Sequence, residues 1–248
     1  MQLTDQVAFI TGATGGIGSE ICRSLAKEGA DISICYHTKH EEAQLLCKEI
    51  TSLGNNAIVV QADVSKKEQV ISAIEATRKN LGPIDILVNN AGITLMGKLE
   101  EISEDDWDRC LAVNLKSVFL CTQAVIPEMK KRNKGRIINI TSLAAKIGGV
   151  NAAACYGAAK AGVSNLTIQI AKELLSYNIN VNGIAPGFID TPLWEVYGPK
   201  KKEESFRNFI RGAGKPSDIA EVVVFLASPK ANYITGEIID VNGGLLMD

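Results

Sequence analysis

The sequence predicts an α/β fold with a doubly wound parallel sheet. Short runs rich in valine and isoleucine recur along the chain, and each is followed by a longer segment with helical periodicity. The short runs are almost continuously apolar, as expected of strands that helices cover on both faces of a sheet. Alternation of this kind is typical of parallel strands joined by helical crossovers.

The elements follow in order along the chain. Seven apolar runs predict strands: VAFIT at 7–11, DISICY at 31–36, AIVVQAD at 57–63, IDILVNN at 84–90, RIINIT at 136–141, INVNGIAP at 179–186 and EIIDVNG at 237–243. The segments with helical periodicity predict helices at 18–29, 41–54, 66–82, 103–131, 153–176 and 216–227. In SKKE, Ser65 and Glu68 form a capping-box pattern that marks the start of the third helix.

Residues 188–212 break the alternation after the sixth strand, with Pro192, Trp194 and Tyr197 ahead of a basic KKKEE. An insertion at the carboxyl end of a strand predicts a substrate lid, because such sheets bind ligands at that edge. No internal repeat, low-complexity tract or linker marks a second domain in the sequence. One domain is therefore predicted over residues 1–248.

Composition and charge argue against several classes of function. The chain has 248 residues, of which 46% are hydrophobic and 22% charged, as in an ordinary soluble globular protein. Its formal net charge of −2 gives no general attraction to nucleic acid or membranes. No apolar run approaches the roughly 18–20 residues of a membrane span, and the amino terminus lacks the basic region of a signal peptide. We expect a cytoplasmic protein with no nucleic-acid or membrane partner.

The cysteines predict reduced core residues, with no disulfide and no metal site. None of them shows C-x-x-C spacing, and most lie inside apolar segments: Cys22, Cys35, Cys47, Cys110, Cys121 and Cys155. Cys155, beside Tyr156, is the one for which access to solvent is an alternative to packing.

The stretch TGATGGIG at 11–18 follows the first strand and opens the first helix. Glycines there let backbone N–H groups approach a pyrophosphate, and the helix N-terminus favours the anion. Gly12, Gly16 and Gly18 give G-x-x-x-G-x-G spacing, whereas Gly12, Gly15 and Gly18 give G-x-x-G-x-x-G. Neither is the common G-x-G-x-x-G fingerprint. The position of the stretch predicts nucleotide binding, and the spacing leaves the subclass open.

Six features together resemble the short-chain dehydrogenase/reductase family over essentially the whole chain: TGATGGIG, NNAG at 89–92, Asn114, Ser142, YGAAK at 156–160 and PG at 186–187. The resemblance implies a Rossmann-type sheet of seven parallel strands in the order 3-2-1-4-5-6-7, with helices on both faces. The G-x-x-G-x-x-G spacing would suggest the extended branch, which usually carries a C-terminal substrate domain. The chain ends just after its seventh strand, so we expect the single-domain branch.

Tyr156 and Lys160 stand four residues apart in a predicted helix, so both can present their heads to the same space. A free tyrosine has a pKa near 10, and a nearby ammonium lowers that pKa by favouring the phenolate. Tyr156 is therefore a candidate acid/base that exchanges a proton with an alcohol or carbonyl oxygen near pH 7. The alternative is a surface tyrosine beside a solvated lysine.

In the family pattern, Ser142 hydrogen-bonds the substrate oxygen, Asn114 supports a proton relay through water, and Lys160 also holds the nicotinamide ribose. The hydride belongs to the cofactor. Alternatives are a turn or cap role for Ser142 and a buried polar role for Asn114. Small residues surround Tyr156 from Ala153 to Gly162, which leaves room for a nicotinamide, a substrate or a partner helix. The resemblance implies a homotetramer.

The family pattern assigns these residues to the cofactor: Gly12, Thr14, Gly15, Gly16, Ile17, Gly18, His37, Thr38, Asp63, Val64, Asn90, Ala91, Gly92, Tyr156, Lys160, Pro186, Gly187, Ile189 and Thr191. Asp63 resembles the adenine-contacting aspartate, with capping of the next helix as its alternative role. Members that prefer NAD place an acidic residue at the end of the second strand. Tyr36 stands there, followed by His37, Thr38 and Lys39. NADP(H) is therefore favoured, with NAD(H) as the alternative.

The stretches NNAGIT, VNLKSVFLCTQA, KGRIINITS and VNGIAPGFIDT are most similar to 3-oxoacyl-[acyl-carrier-protein] reductases. That similarity implies reduction of a carrier-bound 3-oxoacyl group, as in fatty acid biosynthesis, and an acidic carrier protein as partner. The basic run KKRNKGR at 130–136 is a candidate docking surface, although a solvated helix end explains it equally well. Tyr177 departs from the pattern, because the known reductases carry a docking arginine there. The alternatives are a reductase of a small free ketone, sugar, steroid or secondary metabolite, and a nicotinamide-binding regulator without catalysis.

Overall fold

The computed structural model describes residues 1–149, 152–192 and 212–247. Its strands form one parallel sheet in the order β3-β2-β1-β4-β5-β6-β7, which confirms the predicted fold class and strand order. Each strand lies within two residues of its predicted bounds: β1 Val7–Thr11, β2 Asp31–Tyr36, β3 Ala57–Gln61, β4 Ile84–Asn89, β5 Gly135–Ile140, β6 Ile179–Pro186 and β7 Ile238–Val241.

Helices cover both faces of the sheet. The principal ones are α1 Gly16–Lys27, α2 His40–Ser52, α3 Lys67–Leu81, α4 Glu104–Leu111, α5 Ser117–Arg132, α6 Ala144–Ile147, α7 Ala154–Glu173 and α8 Pro216–Ala227. One apolar cluster lies between the sheet and α1, α2 and α8. A second lies between the opposite face and α3, α5 and α7. Central strands buried on both sides explain why their sequences are nearly continuously apolar.

The helix predicted at 103–131 is interrupted in the structure. A π-helical turn over Ala112–Lys116 separates α4 from α5, and Asn114 lies fully buried within it. Such turns widen a helix locally and often occur at functional sites. The apolar periodicity continues through the turn, so the sequence pattern alone does not reveal it.

Among the described residues, the helical stretch Glu104–Arg132, which comprises α4, the π-turn and α5, is long and apolar enough to cross a membrane by length and composition alone. In this fold 44% of its most apolar window is buried, and it packs against α3, α7 and β4. Core helices of soluble proteins pass the same test, so its apolar character is explained by packing on the sheet.

The predicted capping box at α3 is wrong. The helix begins at Lys67, and its N-cap, Lys66, makes no side-chain capping bond. The Ser65 hydroxyl instead donates to Asp63 Oδ1 at 2.7 Å. Lys66, and not Ser65, therefore stands at the N-cap of α3. All six cysteines have free thiols; five of them, Cys155 included, are buried, and Cys47 is partly exposed.

The carboxyl ends of the strands form one edge, and the loops that follow them surround a cavity. Most of the predicted lid lies outside the described residues, which break off between 192 and 212. The two ends of that gap are joined at the sheet edge. Asp190 N donates to Gly214 O at 2.8 Å and Gly214 N donates to Phe188 O at 2.8 Å. The described residues on either side of the gap therefore meet at one point.

Candidate active site

A cavity of about 1060 Å³ opens at the carboxyl edge of the sheet. The glycine-rich turn and the segments after β2 and β3 line one end of the cavity. The segments after β4, β5 and β6, together with α7, line the other end. Every residue that the sequence assigned to the cofactor or to catalysis lines this cavity, except Asn114. The structure thus collects residues between positions 12 and 191 at one site.

The glycine-rich turn is shaped by close backbone contacts. Gly12 has a φ of +62°, and a Cβ on it would lie 2.8 Å from Ala91 Cα. A Cβ on Gly18 would lie 2.2 Å from Gly12 O, and one on Gly16 would lie 2.9 Å from Thr191 Cγ2. At Gly15 the nearest atom is 3.4 Å away, an ordinary contact. The structure therefore requires the G-x-x-x-G-x-G glycines, which settles the spacing that the sequence left open.

Asn90 holds this turn against β4. Its Nδ2 donates to Thr11 O and to Gly12 O, both at 3.0 Å. The backbone N–H groups of Asn90 and Ala91 donate to Thr11 Oγ1, also at 3.0 Å. The Asn90 amide group is thus used to fix the turn, while the residue also lines the cavity.

Replacing Gly18 by alanine is expected to abolish cofactor binding and to destabilise the protein, because the added methyl would meet backbone oxygen at 2.2 Å. Overpacking of this kind typically costs about 1–3 kcal/mol. Gly15→Ala is the matched control, since its methyl meets only Gly12 O at 3.4 Å. Calorimetric titration with NADPH and thermal unfolding of both variants check the expectation. Equal binding by the two variants would contradict it.

Tyr156 and Lys160 meet at the other end of the cavity. Lys160 Nζ lies 5.8 Å from the centroid of the Tyr156 ring, within the range of a cation–π contact. The same Nζ donates to Ile140 O at 2.8 Å, which links α7 to the last residue of β5. The Lys160 side chain is only 4% exposed, whereas Tyr156 is half-buried. The ammonium and the phenol therefore share one space.

Burial lowers the pKa of Lys160 to about 8, and the nearby Cys110 thiol opposes this shift. Removing an ammonium from water disfavours its charged form, and Ile140 O offers only partial replacement for hydration. The pKa of Cys110 is raised to about 12, chiefly by burial. Lys160 is consequently a group whose charge is sensitive to whatever anion enters the cavity.

Ser142 follows β5 and lines the cavity between Tyr156 and the sheet edge. Its Oγ accepts a hydrogen bond from Ala144 N at 3.1 Å. This contact stabilises the turn into α6, as the alternative role expected. It engages an oxygen lone pair and leaves the hydroxyl proton able to donate to an oxygen in the cavity.

Asn114 lies behind the cavity wall. Its Nδ2 donates to Ile93 O at 2.9 Å and to Cys110 O at 3.0 Å, and its Oδ1 accepts from Ile93 N at 3.2 Å. A Cβ on Gly92 would lie 2.7 Å from Asn114 Oδ1. The amide side chain is therefore occupied by backbone groups, as its alternative role expected, and does not itself face the cavity.

The end of the cavity where the sequence predicts the adenosine carries Asp63 and the residues after β2. Asp63 Oδ1 accepts from Ser65 N at 2.9 Å as well as from the Ser65 hydroxyl. Burial raises the pKa of Asp63, but those hydrogen bonds and nearby His37 outweigh burial, and the pKa is lowered overall. Tyr36 is buried, and its hydroxyl bonds His40 Nδ1 at 2.5 Å. No carboxylate stands at the end of β2.

Sequence reasoning missed several residues that line the cavity: Lys66, Thr94, Asp108, Arg109, Ala112, Val113, Ile147, Ala152 and Phe188. Four of them follow each other on one face of α4 and the π-turn, at positions 108, 109, 112 and 113. Helical spacing could have grouped these four. Nothing in the local sequence indicates that this face looks into a cavity formed by distant strands.

The basic run at 130–136 is largely tied up in structural contacts. Arg132 Nη1 and Lys134 Nζ both lie 3.0 Å from Asp85 Oδ1. Burial lowers the pKa of Arg136, whose guanidinium bonds Asn232. Lys130 Nζ lies 4.9 Å from the ring centroid of Tyr177. Asp85 thus neutralises part of the charge of the run, while Lys131 and Lys134 are exposed.

The position of the basic run also matters. It ends at the amino end of β5, whereas Ser142 follows the carboxyl end of that strand. Six residues of strand span about 20 Å. A carrier protein docked on this run would therefore sit at the end of the sheet opposite to Tyr156 of the same subunit.

Comparison with known proteins agrees with this geometry. The short chain dehydrogenase family matches residues 6–202. A 3-oxoacyl-[acyl-carrier-protein] reductase of Staphylococcus epidermidis is 40% identical over 241 residues, which cover 97% of this chain and 98% of the relative. The crystal structure of a blue fluorescent protein from a metagenomic library, in complex with NADPH, has a TM-score of 0.92 and 37% identity, and covers 100% of both chains. A 3-oxoacyl-[acyl-carrier-protein] reductase from Brucella melitensis with bound NAD has a TM-score of 0.90 and 32% identity over 100% of this chain and 95% of that one.

Proposed function

The chain belongs to the short-chain dehydrogenase family and is an NAD(P)-dependent oxidoreductase, and on this premise we propose that it reduces a 3-oxoacyl thioester carried by an acyl carrier protein, with NADPH as the reductant. The observation that carries the proposal is the placement of Lys160 Nζ 5.8 Å from the Tyr156 ring centroid, in the cavity that the glycine-rich turn also lines.

The described residues fit a nicotinamide dinucleotide. The backbone cradle at Gly12 and Gly18 has no room for side chains and stands at the N-terminus of α1, where a pyrophosphate is favoured. Asp63 and Val64 border the space for the adenine, and Lys160 would hold the nicotinamide ribose. When bound, NADPH supplies the hydride that reduces the carbonyl carbon.

The side chains of this chain supply the proton and the orientation. Tyr156 donates its phenolic proton to the carbonyl oxygen as that oxygen gains negative charge. The Ser142 hydroxyl donates a hydrogen bond to the same oxygen and so orients the substrate. The Lys160 ammonium stabilises the phenolate that remains. Asn114 is assigned a supporting role, because its side chain holds the backbone at Ile93 beside Gly92.

Charge at the adenosine end supports NADPH over NADH. A 2′-phosphate would meet His37, Lys39 and Lys66, which all line the cavity. Tyr36 replaces the acidic residue that would repel a phosphate, and its hydroxyl is already bonded to His40. Lys39 and Lys66 supply the permanent positive charges of this set, and NADH stays the alternative cofactor.

The substrate assignment rests on the named relatives and on the cavity wall. Leu143, Ile147, Ala152 and Phe188 give the substrate end apolar surface suited to an acyl chain. Two observations favour the alternative, a small free ketone, sugar, steroid or secondary metabolite. Tyr177 stands where the known reductases carry a docking arginine, and the basic run at 130–136 lies at the end of the sheet opposite to Tyr156. A regulator without catalysis is disfavoured, because Tyr156, Lys160 and Ser142 all line one cavity.

We also propose a homotetramer. On α7, Ala154, Ala158 and Ala161 are exposed and follow helical spacing, so another helix can approach closely. On α5, Phe119 is 46% exposed. Two helices from a second copy would bury both surfaces. Sedimentation velocity measures the state, and a monomer at micromolar concentration would contradict the proposal.

The assay that tests the proposed function compares initial rates of NADPH and NADH oxidation with three substrates. These are an acetoacetyl thioester on acyl carrier protein, the same thioester on coenzyme A, and a simple diketone. We expect NADPH and the carrier-bound thioester to give the highest kcat/KM. Indifference to the carrier would overturn the carrier-bound substrate in favour of the small-ketone alternative, and a higher rate with NADH would overturn the cofactor assignment.

A further inference from the structure

A chain of buried polar side chains runs through the core between the sheet and the site-bearing helix. Asn89 Nδ2 donates to Asn139 Oδ1 at 2.8 Å, and Asn139 Nδ2 donates to Thr167 Oγ1 at 2.8 Å. The Thr167 hydroxyl donates in turn to Val163 O at 2.8 Å. Asn139 and Thr167 are both fully buried, and Asn89 is 4% exposed. The surrounding cluster is apolar, and Asn89 Nδ2 has one further side-chain partner, Thr122 Oγ1 of α5, at 3.2 Å.

This chain joins the elements that carry the candidate catalytic groups. Asn89 and Asn139 are direct neighbours in the β4–β5 register. Asn139 immediately precedes Ile140, whose carbonyl accepts the Lys160 hydrogen bond at 2.8 Å. Thr167 lies seven residues after Lys160, and seven residues make nearly two turns, so both stand on one face of α7. Asn139 and Ile140, which are consecutive in β5, are therefore hydrogen-bonded to Thr167 and Lys160 on one face of α7.

Apolar packing holds α7 on the sheet mainly toward its C-terminal end, where Ile170 and Ala171 are buried in the core. The helix presents mainly small side chains near Lys160, including Ala159 and Gly162, and small residues offer few ridges for interlocking. A hydrogen bond is directional, and a shift of the helix would leave the buried Asn139 amide unpaired. Buried polar groups of this kind select one register, although apolar residues would often be more stabilising.

We propose that Asn139 and Thr167 are positioning residues, which fix the rotation and register of α7 on β5 and thereby place Tyr156 and Lys160 for proton transfer. The inference rests on the proposed function, since it assigns the two residues an effect on that chemistry. Neither residue lines the cavity, so neither is a catalytic residue, and their effect passes through α7.

The test uses Thr167→Val, which keeps the shape and removes the hydroxyl, and Thr167→Ser, which keeps the hydroxyl. Thr77→Val is the matched control: Thr77 is a fully buried helical threonine that bonds Ala73 O at 2.8 Å and the Ser33 hydroxyl at 2.7 Å. Thr77 and Ser33 belong to α3 and β2, which carry none of the proposed catalytic side chains. Thr77→Val therefore measures how a loss of stability alone affects kcat, because it does not disturb the placement of Tyr156 and Lys160.

Thermal unfolding is expected to show similar losses for both valine variants. Only Thr167→Val is expected to lower kcat, by about 10-fold with a smaller change in KM, because small misplacements of reacting groups are costly. Thr167→Ser is expected to restore most of kcat. Unchanged kcat in Thr167→Val, or an equal loss in Thr77→Val, would overturn the positioning role.

Failure of the proposed function gives a different result, since the wild-type protein would then reduce no 3-oxoacyl thioester or ketone. In that case, backbone hydrogen exchange over residues 154–163 provides the readout. Faster exchange there in Thr167→Val, restored in Thr167→Ser and absent in Thr77→Val, supports the positioning role. The same exchange rate in all four proteins would overturn it.

Discussion

Tyr156→Phe is expected to lower turnover at least about 100-fold, in line with the loss of a general acid. The ring is retained, so its contact with Lys160, at 5.8 Å from Nζ to centroid, and its packing beside Cys155 should persist. Affinity for NADPH is therefore expected to stay similar. Steady-state ketone reduction gives the turnover number, and quenching of intrinsic fluorescence on NADPH addition gives the affinity.

The control for this change is Tyr177→Phe. Tyr177 lies under Lys130 at the far end of the fold, so loss of its hydroxyl should leave turnover near the wild-type value. Retained turnover in Tyr156→Phe would show that the proton comes from another group. A joint loss of turnover and NADPH affinity would instead indicate a collapsed site.

Lys160→Met is expected to abolish most turnover while making the cofactor-free protein more stable near pH 7. Burial lowers the pKa of Lys160 from 10.5 to about 8, which corresponds to a penalty of about 3 kcal/mol for holding the charge. Loss of the charge-assisted hydrogen bond to Ile140 O removes about 2 kcal/mol of stabilisation. The net gain in the free energy of unfolding is therefore on the order of 1 kcal/mol.

The sign of the pH dependence follows from the same shift. Below pH 8 the lysine is charged in both states, and the folded protein bears the full penalty. Between about 8 and 10.5 the unfolded chain binds more protons than the folded one, so stability from this group rises with pH. Urea unfolding at pH 7 and pH 10 measures both effects.

In Lys160→Met the rise in stability with pH should vanish. Lys172→Met is the control, because Lys172 is exposed in the last turn of the same helix. A Lys160→Met protein that is less stable than wild type at pH 7 would show that Ile140 O and the surroundings compensate the charge fully.

The fold could be predicted because its determinants are local. Apolar runs and helical periodicity alternate along the chain, and the right-handed crossover rule restricts how parallel strands can be joined. The capping-box prediction was wrong because α3 starts one residue later than the pattern requires, which puts Lys66 instead of Ser65 at the N-cap. The π-turn at Ala112–Lys116 was missed because it does not disturb the apolar pattern.

The residues of the site were predicted more completely than their contacts. The four-residue spacing predicted that Tyr156 and Lys160 lie on one face of a helix. It gave no sign that the Asn114 side-chain amide is hydrogen-bonded to backbone groups of Ile93 and Cys110. Charge counting drew attention to the basic run, yet Asp85, which neutralises part of it, stands 47 residues before Arg132. Long-range partners of this kind leave no trace in a local window.

The small residues around Tyr156 divide in the structure by what they face. Ala153 and Ala159 are fully buried against the core. Ala154, Ala158 and Ala161 are exposed on the outer face of α7. The sequence predicted that these small residues make room for more than one neighbour. Only the packing of α7 shows which of them face the core and which face solvent.

The ionisation of Tyr156 tests the central claim most directly. The chain has 5 tyrosines, so the phenolate absorbance of the wild type minus that of Tyr156→Phe, titrated with bound NADP⁺, isolates this one side chain. We expect Tyr156 to ionise at least about one pH unit below the usual value near 10, and Lys160→Met to return it toward that value. Ionisation at or above the usual value in both proteins would contradict the account.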